Sequence, residues 1–320
     1  MLMLKKQTKN MTQALHEITI IIPMYNESEG LEVLFARLLP ILNSITQQWQ
    51  VLCVDDGSRD DTREKLRDWH DKEPRIQLLA LSRNFGKEAA LTAGLFHADG
   101  QAVIPLDADL QDPPELIPEM VAKWREGYKV VLAVRRNRNG DGWLKRISAL
   151  CYYKLMRAMH VDLPANVGDF RLMDRQVVEV MRLLPERTRF MKGLFAWVGF
   201  STASIYFDRP ERAVGEAKQG IRPLLRLAKD GIFSFTTLPL RLATYLGVVI
   251  SLLSMGYAAW LVIRTLVHGV ETPGFASIMV AVLFIGGVQL ISLGIIGEYI
   301  GRIYRETKQR PLFVVEEHLR

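Results

Sequence analysis

The sequence predicts an α/β domain of the doubly wound type, followed by interfacial amphipathic helices and a two-helix transmembrane hairpin. Three observations carry this. Short apolar runs alternate with amphipathic stretches from residue 18 to about residue 134, two uncharged segments of 22 and 23 residues lie near the C-terminus, and basic residues crowd the outer flanks of those segments.

Residues 1–17, MLMLKKQTKNMTQALHE, lack the unbroken apolar core of a secretory signal and read as a leader, which leaves the first domain in the cytosol. The runs ITIII (18–22), QVLCV (50–54), IQLLA (76–80), AVIPL (102–106) and KVVLAV (129–134) are continuous rather than alternating. Parallel strands covered on both faces have that pattern. Between them GLEVLFARLLPIL sets Leu31, Leu34, Phe35 and Leu38 on one helical face; KEAALTAGLFHA and PELIPEMVAKWREG follow, the last closing on glycine. Strand–helix alternation builds a doubly wound sheet, whose ligands bind beyond the carboxyl ends of its strands. The five runs end in PMYNES, DDGSRDD, LSRNFGKE, DADLQDPPE and RRNRNGD, so one sheet edge collects the polar residues.

Residues 143–235 are mixed. WLKRISALCYYKLMRAMH is a basic amphipathic helix, the stretch from GDFRL to AWVGF reads as a loop, a helix and a second loop, and KQGIRPLLRLAKDGIFSF (218–235) has the composition of a helix lying in a membrane interface. The domain is therefore bounded at 18–217 and the interfacial segment at 218–241. Residues 242–263 and 275–297, within a hairpin of 242–300, each exceed the roughly 20 apolar residues that span hydrocarbon. Soluble cores rarely hold helices this long that are apolar on every face. Arg222, Arg226, Lys229 and Arg241 precede the pair and Arg302, Arg305, Lys308 and Arg310 follow it, against Arg264 and His268 in the connecting loop. By the positive-inside rule both termini are cytoplasmic, 301–320 is a cytoplasmic tail, and the protein is integral to the inner membrane. The small-xxx-small spacing of GEYIG (297–301) is a cue for a homo-oligomer.

Composition sets the outer bounds. With 24% charged and 49% hydrophobic residues the chain is neither disordered nor wholly membrane-buried. A net charge of +6 calls for an anionic partner. Because the basic residues gather ahead of the apolar segments, membrane surface and phosphorylated substrate fit better than nucleic acid. Cys53 and Cys151 make neither a disulfide framework nor a metal site and suit a reducing compartment.

Asp107, Asp109 and Asp112 fall within six positions at the end of an apolar run. Carboxylates that close repel one another, so a cation should sit between them. Asp107 and Asp109, at i and i+2, share a side of an extended segment and can reach one ion; hard oxygen ligands suit Mg²⁺ or Mn²⁺. No P-loop, H-E-x-x-H or G-x-S-x-G pattern occurs.

Taken together, IIPMYNE, VDDGS, SRNFGKEAALTAG, DADLQDPPE, GDFRLMDR, ERTRFMKGLFAWVGF and GEYIGRIY resemble a family 2 glycosyltransferase of the polyprenyl-phosphate type, nearest to the bactoprenol glucosyltransferases and related to dolichol-phosphate mannose synthase. The likeness covers about residues 19–311 and implies a GT-A fold for the α/β domain. It implies inverting transfer of a sugar, glucose from UDP-glucose, to undecaprenyl phosphate with Mg²⁺ or Mn²⁺. Pro23, Tyr25 and Glu27 match residues that hold the nucleotide, Asp55 and Asp56 those that contact uracil and ribose, and Asp107, Asp109 and Gln111 the metal motif. Arg135 and Arg146 match arginines that bind phosphate; Arg136, Arg189, Lys192, Arg212 and Lys218 are further candidates for the lipid phosphate. Asp169 matches the position of the base or acceptor-orienting carboxylate. A phosphate monoester is already largely dianionic at neutral pH, so Asp169 reads as a positioner more than a proton acceptor.

Bland readings stand beside these. Tyr25 can simply pack, Asp55 can cap a turn, and Asp169 can be a helix N-terminal acid ahead of MDRQVVEVM. GDP-mannose, UDP-GlcNAc or a UDP-aminoarabinose derivative would use the same framework. A processive polysaccharide synthase lacks support because Q-x-x-R-W and further spans are missing from the sequence. A non-catalytic nucleotide-sugar-binding membrane scaffold would need neither DAD nor GDF. O-antigen modification is one downstream use of such a product.

Overall fold

Isoleucine and valine runs with no polar alternation can pair only where both sheet faces are covered, and they form the centre of the sheet. In the computed structural model, which describes residues 16–136, 167–187, 189, 191–208, 238–268 and 274–320, the chain divides into two units, Met1–Leu224 with Arg310–Arg320, and Leu225–Gln309.

In the first unit β1 (His16–Met24), β2 (Trp49–Asp55), β3 (Ile76–Leu81), β4 (Gly100–Pro105), β5 (Val130–Arg135), β6 (Val167–Asp174), β7 (Thr202–Phe207) and β8 (Val315–Leu319) make one sheet ordered β7-β5-β6-β4-β1-β2-β3-β8. β3, β2, β1 and β4 are parallel, with Met24 opposite Asp55 and Ile21 opposite Pro105. The strand order reverses between β1 and β4, where doubly wound sheets open a crevice.

Two differences from the sequence reading matter. The sheet is mixed, because GDFRLMD is strand rather than loop: β6 runs antiparallel between β4 and β5. The C-terminal residues are not a free tail but an edge strand, β8, antiparallel to β3. Antiparallel β6 and β8 therefore bring their starts to the edge where the parallel strands end.

Helices α1 (Leu31–Ile45), α2 (Thr62–Lys72), α3 (Lys87–His97), α4 (Ile117–Arg125), α5 (Arg175–Leu183) and α6 (Met191–Trp197) belong to this unit. α1 buries Leu31, Leu34, Phe35, Leu38 and Leu42, the face read from its spacing plus one turn. Each such burial contributes roughly 1.5–3 kcal/mol. Cys53 lies buried in β2, where loss of hydration pushes its thiol up.

The second unit holds α7 (Leu238–His268) and α8 (Phe275–Thr307), against each other. One segment among the described residues is long and apolar enough to cross a membrane: 284–307, 24 residues with mean hydropathy 1.4 and none of it buried. Leu242–Tyr257 is a shorter apolar stretch. The expected spans at 242–263 and 275–297 coincide with helices, but the criterion is met by one helix, and further toward its C-terminus than the sequence placed it.

Candidate active site

The loops after β1 and β2 are stitched together. Asn26 adopts a left-handed conformation, φ 55°, which short polar side chains tolerate. Its Oδ1 accepts from the Arg59 amide at 2.8 Å and its own amide donates to Ser58 Oγ at 2.9 Å. The Glu27 amide donates to Thr62 Oγ1, and the Ser28 amide to Asp60. Pro23 pairs with Val54 in the ladder, and Tyr25 stands exposed at the rim.

Asp55 ends β2 fully buried, its Oδ2 3.1 Å from Arg63 Nε and its Oδ1 accepting from the Ser58 amide. Asp56 is buried beside it and accepts from the Phe85 and Gly86 amides at 2.7 and 2.8 Å. Burial pushes its carboxyl up, and those two amides and then Asp55 act in opposite senses without reversing this. Gly57 makes the turn between them possible: φ is +69°, and a Cβ there would come within 2.5 Å of the Arg83 carbonyl carbon. The two acids thus tie the loop scaffold together.

A cation does meet the cluster, but between Asp107 and Asp169 rather than among Asp107, Asp109 and Asp112. Lys87 Nζ lies 2.6 Å from Asp107 Oδ1 and 3.2 Å from Asp169 Oδ2. Burial works against its charge, yet Asp107 and Asp169 outweigh that and hold the ammonium above the usual lysine range. Asp112, buried, takes the second cation, Arg135, at 3.3 Å. Sequence reading passed over Lys87, although a signal existed. It opens α3, and a cation in the first turn of a helix opposes the dipole, so something other than helix stability keeps it there. Its neighbour Glu88 accepts from the Met191 amide and fixes the start of α6.

DADLQ departs from its expected backbone. β4 ends at Pro105, so Asp107 and Asp109 occupy a turn and not an extended segment. The reason is Leu110, a buried residue at φ 54°, which folds the chain back so that the Gln111 amide reaches Asp109 Oδ1 at 3.1 Å. A branched side chain in that region costs of order 1–3 kcal/mol, and such strain gathers at functional sites. Asp107 already holds a cation through hard oxygens. Among the described residues no three His, Cys, Asp or Glu side chains form a metal-ligating group. The carboxylates of Asp107 and Asp109 are nonetheless hard oxygen donors of the kind a divalent ion takes.

Asp169 lies at the start of β6, on the same edge, with its side chain largely buried. Its reading as a helix N-terminal acid does not hold. α5 begins at Arg175 and is capped by Asp174, which accepts from the Gln176 amide at 3.0 Å. Arg135 ends β5 and lies against Gly168, where a Cβ would stand 3.3 Å from its NH2. Arg171, unnoticed in the sequence, is buried over the Phe195 ring at 4.1 Å and donates to the Gly168 carbonyl. Burial lowers its pKa to about 10 against the pull of Asp169.

The remaining basic candidates are scattered. Arg136 is exposed just beyond β5. Arg189 donates to the Met181 and Leu184 carbonyls at 3.1 and 2.8 Å, capping the C-terminus of α5. Lys192 belongs to α6. Arg146, Arg212 and Lys218 fall outside the described residues, as do Cys151, residues 1–15 of the leader and 218–237 of the interfacial segment, whose remaining residues open β1 and α7.

Paired acids at the end of β2 and a lysine between Asp107 and Asp169 gather at one sheet edge, beside the point where the strand order reverses. Residues 19–182 match the model of glycosyl transferase family 2. The chain belongs to that family. Residues 238–303, covering α7 and most of α8, match a second model, the GtrB C-terminal hairpin. An uncharacterized glycosyltransferase of Synechocystis sp. is 55% identical over 302 residues, covering 94% of this chain and 95% of its own length. A bactoprenol glucosyl transferase of Shigella phage SfV is 44% identical over 94% of this chain and 98% of its own, and a prophage bactoprenol glucosyl transferase homolog of Escherichia coli is 42% identical over the same shares. Among solved structures, glucosyl-3-phosphoglycerate synthase of Mycobacterium tuberculosis aligns over 70% of this chain and 80% of its own with a TM-score of 0.48 and 19% identity. The α/β unit, as a family 2 glycosyltransferase domain, is a GT-A-like mixed sheet.

Proposed function

We propose that the protein transfers glucose from UDP-glucose to undecaprenyl phosphate at the cytoplasmic face of the inner membrane, inverting the anomeric carbon. The observation that carries this is the near full-length likeness to proteins named bactoprenol glucosyl transferase, at 44% identity. The site's chemistry agrees with it. Pro23, Tyr25, Glu27, Asp55 and Asp56 form the nucleotide end, reached from the β1 and β2 loops. Asp107 and Asp109, with Gln111, would hold Mg²⁺ or Mn²⁺, which when bound would supply positive charge for the departing diphosphate. Lys87 adds a fixed cation beside it.

In the reaction an oxygen of the lipid phosphate forms the new bond to the anomeric carbon while the bond to the diphosphate oxygen breaks, and UDP leaves with that electron pair. Asp169, held by Lys87 at 3.2 Å, orients the incoming phosphate. Arg135, with Arg136, Arg146, Lys192, Arg212 and Lys218, supplies the cations that gather it; Arg189 joins them only by giving up its cap on α5.

The same sheet supports two membrane crossings. β3 precedes the helix pair in the chain and β8 follows it, yet they are paired strands. An odd number of crossings would put a bilayer between them, which favours a crossing by α7 as well as by α8. The apolar residues of both helices are exposed, Leu253 at 69% and Leu290 at 71%, as lipid-facing helices require. Arg241 in the first turn of α7, with Arg302, Arg305 and Lys308 at the C-terminal end of α8, favours cytoplasmic ends.

The test incubates the purified protein with undecaprenyl phosphate, Mn²⁺ and labelled UDP-glucose, UDP-GlcNAc, GDP-mannose or a UDP-aminoarabinose derivative in turn, then extracts lipid. Label should enter the lipid from UDP-glucose alone. Label from another donor would replace the sugar; none from any donor, with UDP still bound, would make the protein a nucleotide-sugar scaffold.

A further inference from the structure

β8 lies after the apolar helices in the sequence, yet its first residues sit at the same sheet edge as Asp55. Leu81, the last residue of β3, pairs with Val315, while Ala80 pairs with Glu317. Glu316 has no partner in that register, so it is the extra residue of a β-bulge. In a regular strand consecutive side chains face opposite ways. Here the bulge lets both glutamates face α2: Glu316 meets Arg63 NH1 at 2.9 Å and Glu317 takes Arg67 through two bonds, of 3.2 and 2.6 Å. Arg63 and Arg67 are one helical turn apart, on one face of α2.

The two pairs differ in what lies behind them. Arg67 ends at Glu317. Arg63 continues: its Nε is 3.1 Å from Asp55 Oδ2, and its NH2 donates to the Leu81 carbonyl at 3.3 Å. A guanidinium is planar and its donors form a rigid fork. Holding NH1 at Glu316 and NH2 at Leu81 therefore fixes the direction in which Nε presents to Asp55. We propose that Glu316, 253 residues from Arg63 in sequence, is a positioning residue of the donor site. Through Arg63 it sets the Asp55 carboxylate for the nucleoside of the sugar donor, making the C-terminal strand a part of the nucleotide pocket. This rests on the proposed role of Asp55 at the nucleotide end.

Full-length Glu316→Gln and Glu317→Gln are compared with wild type in UDP binding by calorimetry, in glucosyl transfer and in thermal unfolding. Glu317→Gln is the control, since it loosens the same strand on the same helix without touching the Asp55 relay. Glu316→Gln should weaken UDP about tenfold, the scale of losing one charge-assisted hydrogen bond, and raise KM for UDP-glucose with kcat little changed. Inorganic pyrophosphate, which lacks the nucleoside, should bind both variants as it binds wild type. Glu317→Gln should lower the unfolding temperature at least as much while leaving UDP affinity within about twofold. Unchanged UDP affinity in Glu316→Gln, or an equal loss in Glu317→Gln, would overturn the relay. Failure of the wild type to bind UDP would instead remove the donor-site reading, and this inference with it.

Discussion

Leu38 of α1 and Leu290 of α8 are the same side chain on helices of similar mean apolarity, and they meet opposite fates. The first is fully buried and the second 71% exposed. α1 carries its leucines on one stripe and packs that stripe on the sheet. α8 has them all round, the pattern of a helix that needs apolar surroundings on every face. The lesson is that hydrophobicity tells how much surface must leave water, while its periodicity tells whether protein or lipid receives it. The first unit can be judged by its core; the second can be judged only by its solvent.

Chemistry provides the largest effect that sharpens this contrast. Asp107→Asn should reduce transfer by about 10³-fold, the scale of removing preorganised charge from a transition state, while the unfolding of the α/β unit changes little. A residual rate within tenfold of wild type would show that Asp107 has no role in charge stabilisation. Next come the two leucines. Leu38→Ala should destabilise the first unit by about 2–5 kcal/mol in denaturant unfolding, whereas Leu290→Ala should leave that transition where it was. Leu290→Arg should instead oppose membrane insertion, by roughly 2.5–3.5 kcal/mol at mid-span, read as protein extractable by alkaline carbonate. Carbonate-resistant Leu290→Arg would argue that α8 is not lipid-facing at that point.

Much of this could be read in advance. β1 to β5 were legible because parallel strands buried on both faces leave unbroken apolar runs, and the polar strand ends marked the crevice. β6 was not, since GDFRLMD mixes charge with apolar residues. Its polar positions, Asp169 and Arg171, face a site and a ring rather than water, which imitates a loop in sequence. β8 was missed for a related reason. VEEHL carries two adjacent glutamates, and only a bulge allows both to meet arginines on one helix. The backbone of DADLQ was misjudged because nothing in the composition announces a leucine in a left-handed turn. Lys87 lay in plain sight in a quoted motif, and its unfavourable helix position was the unused clue.

A smaller prediction concerns β8 and acid. Burial, then His97 and Arg320, lower the pKa of His318 from 6.5 to about 4, with Asp99 opposing. A depressed folded value means that the unfolded chain takes the proton first. The contribution of the neutral imidazole is therefore complete above pH 6.5 and declines as pH falls toward about 4. The protection factors of the β8 amides, exchange taken relative to the intrinsic rate at each pH, should fall over that window, and His318→Phe should flatten the response. A pH-independent β8 in the wild type would contradict it.

The most direct test of the account follows both products at once. Protein in bilayers containing undecaprenyl phosphate is given UDP-glucose and Mn²⁺, and free UDP and extracted lipid are measured by mass spectrometry. The account predicts that each UDP released is matched by one lipid phosphate heavier by a single hexose. UDP released without hexosyl lipid would mark a hydrolase and contradict it.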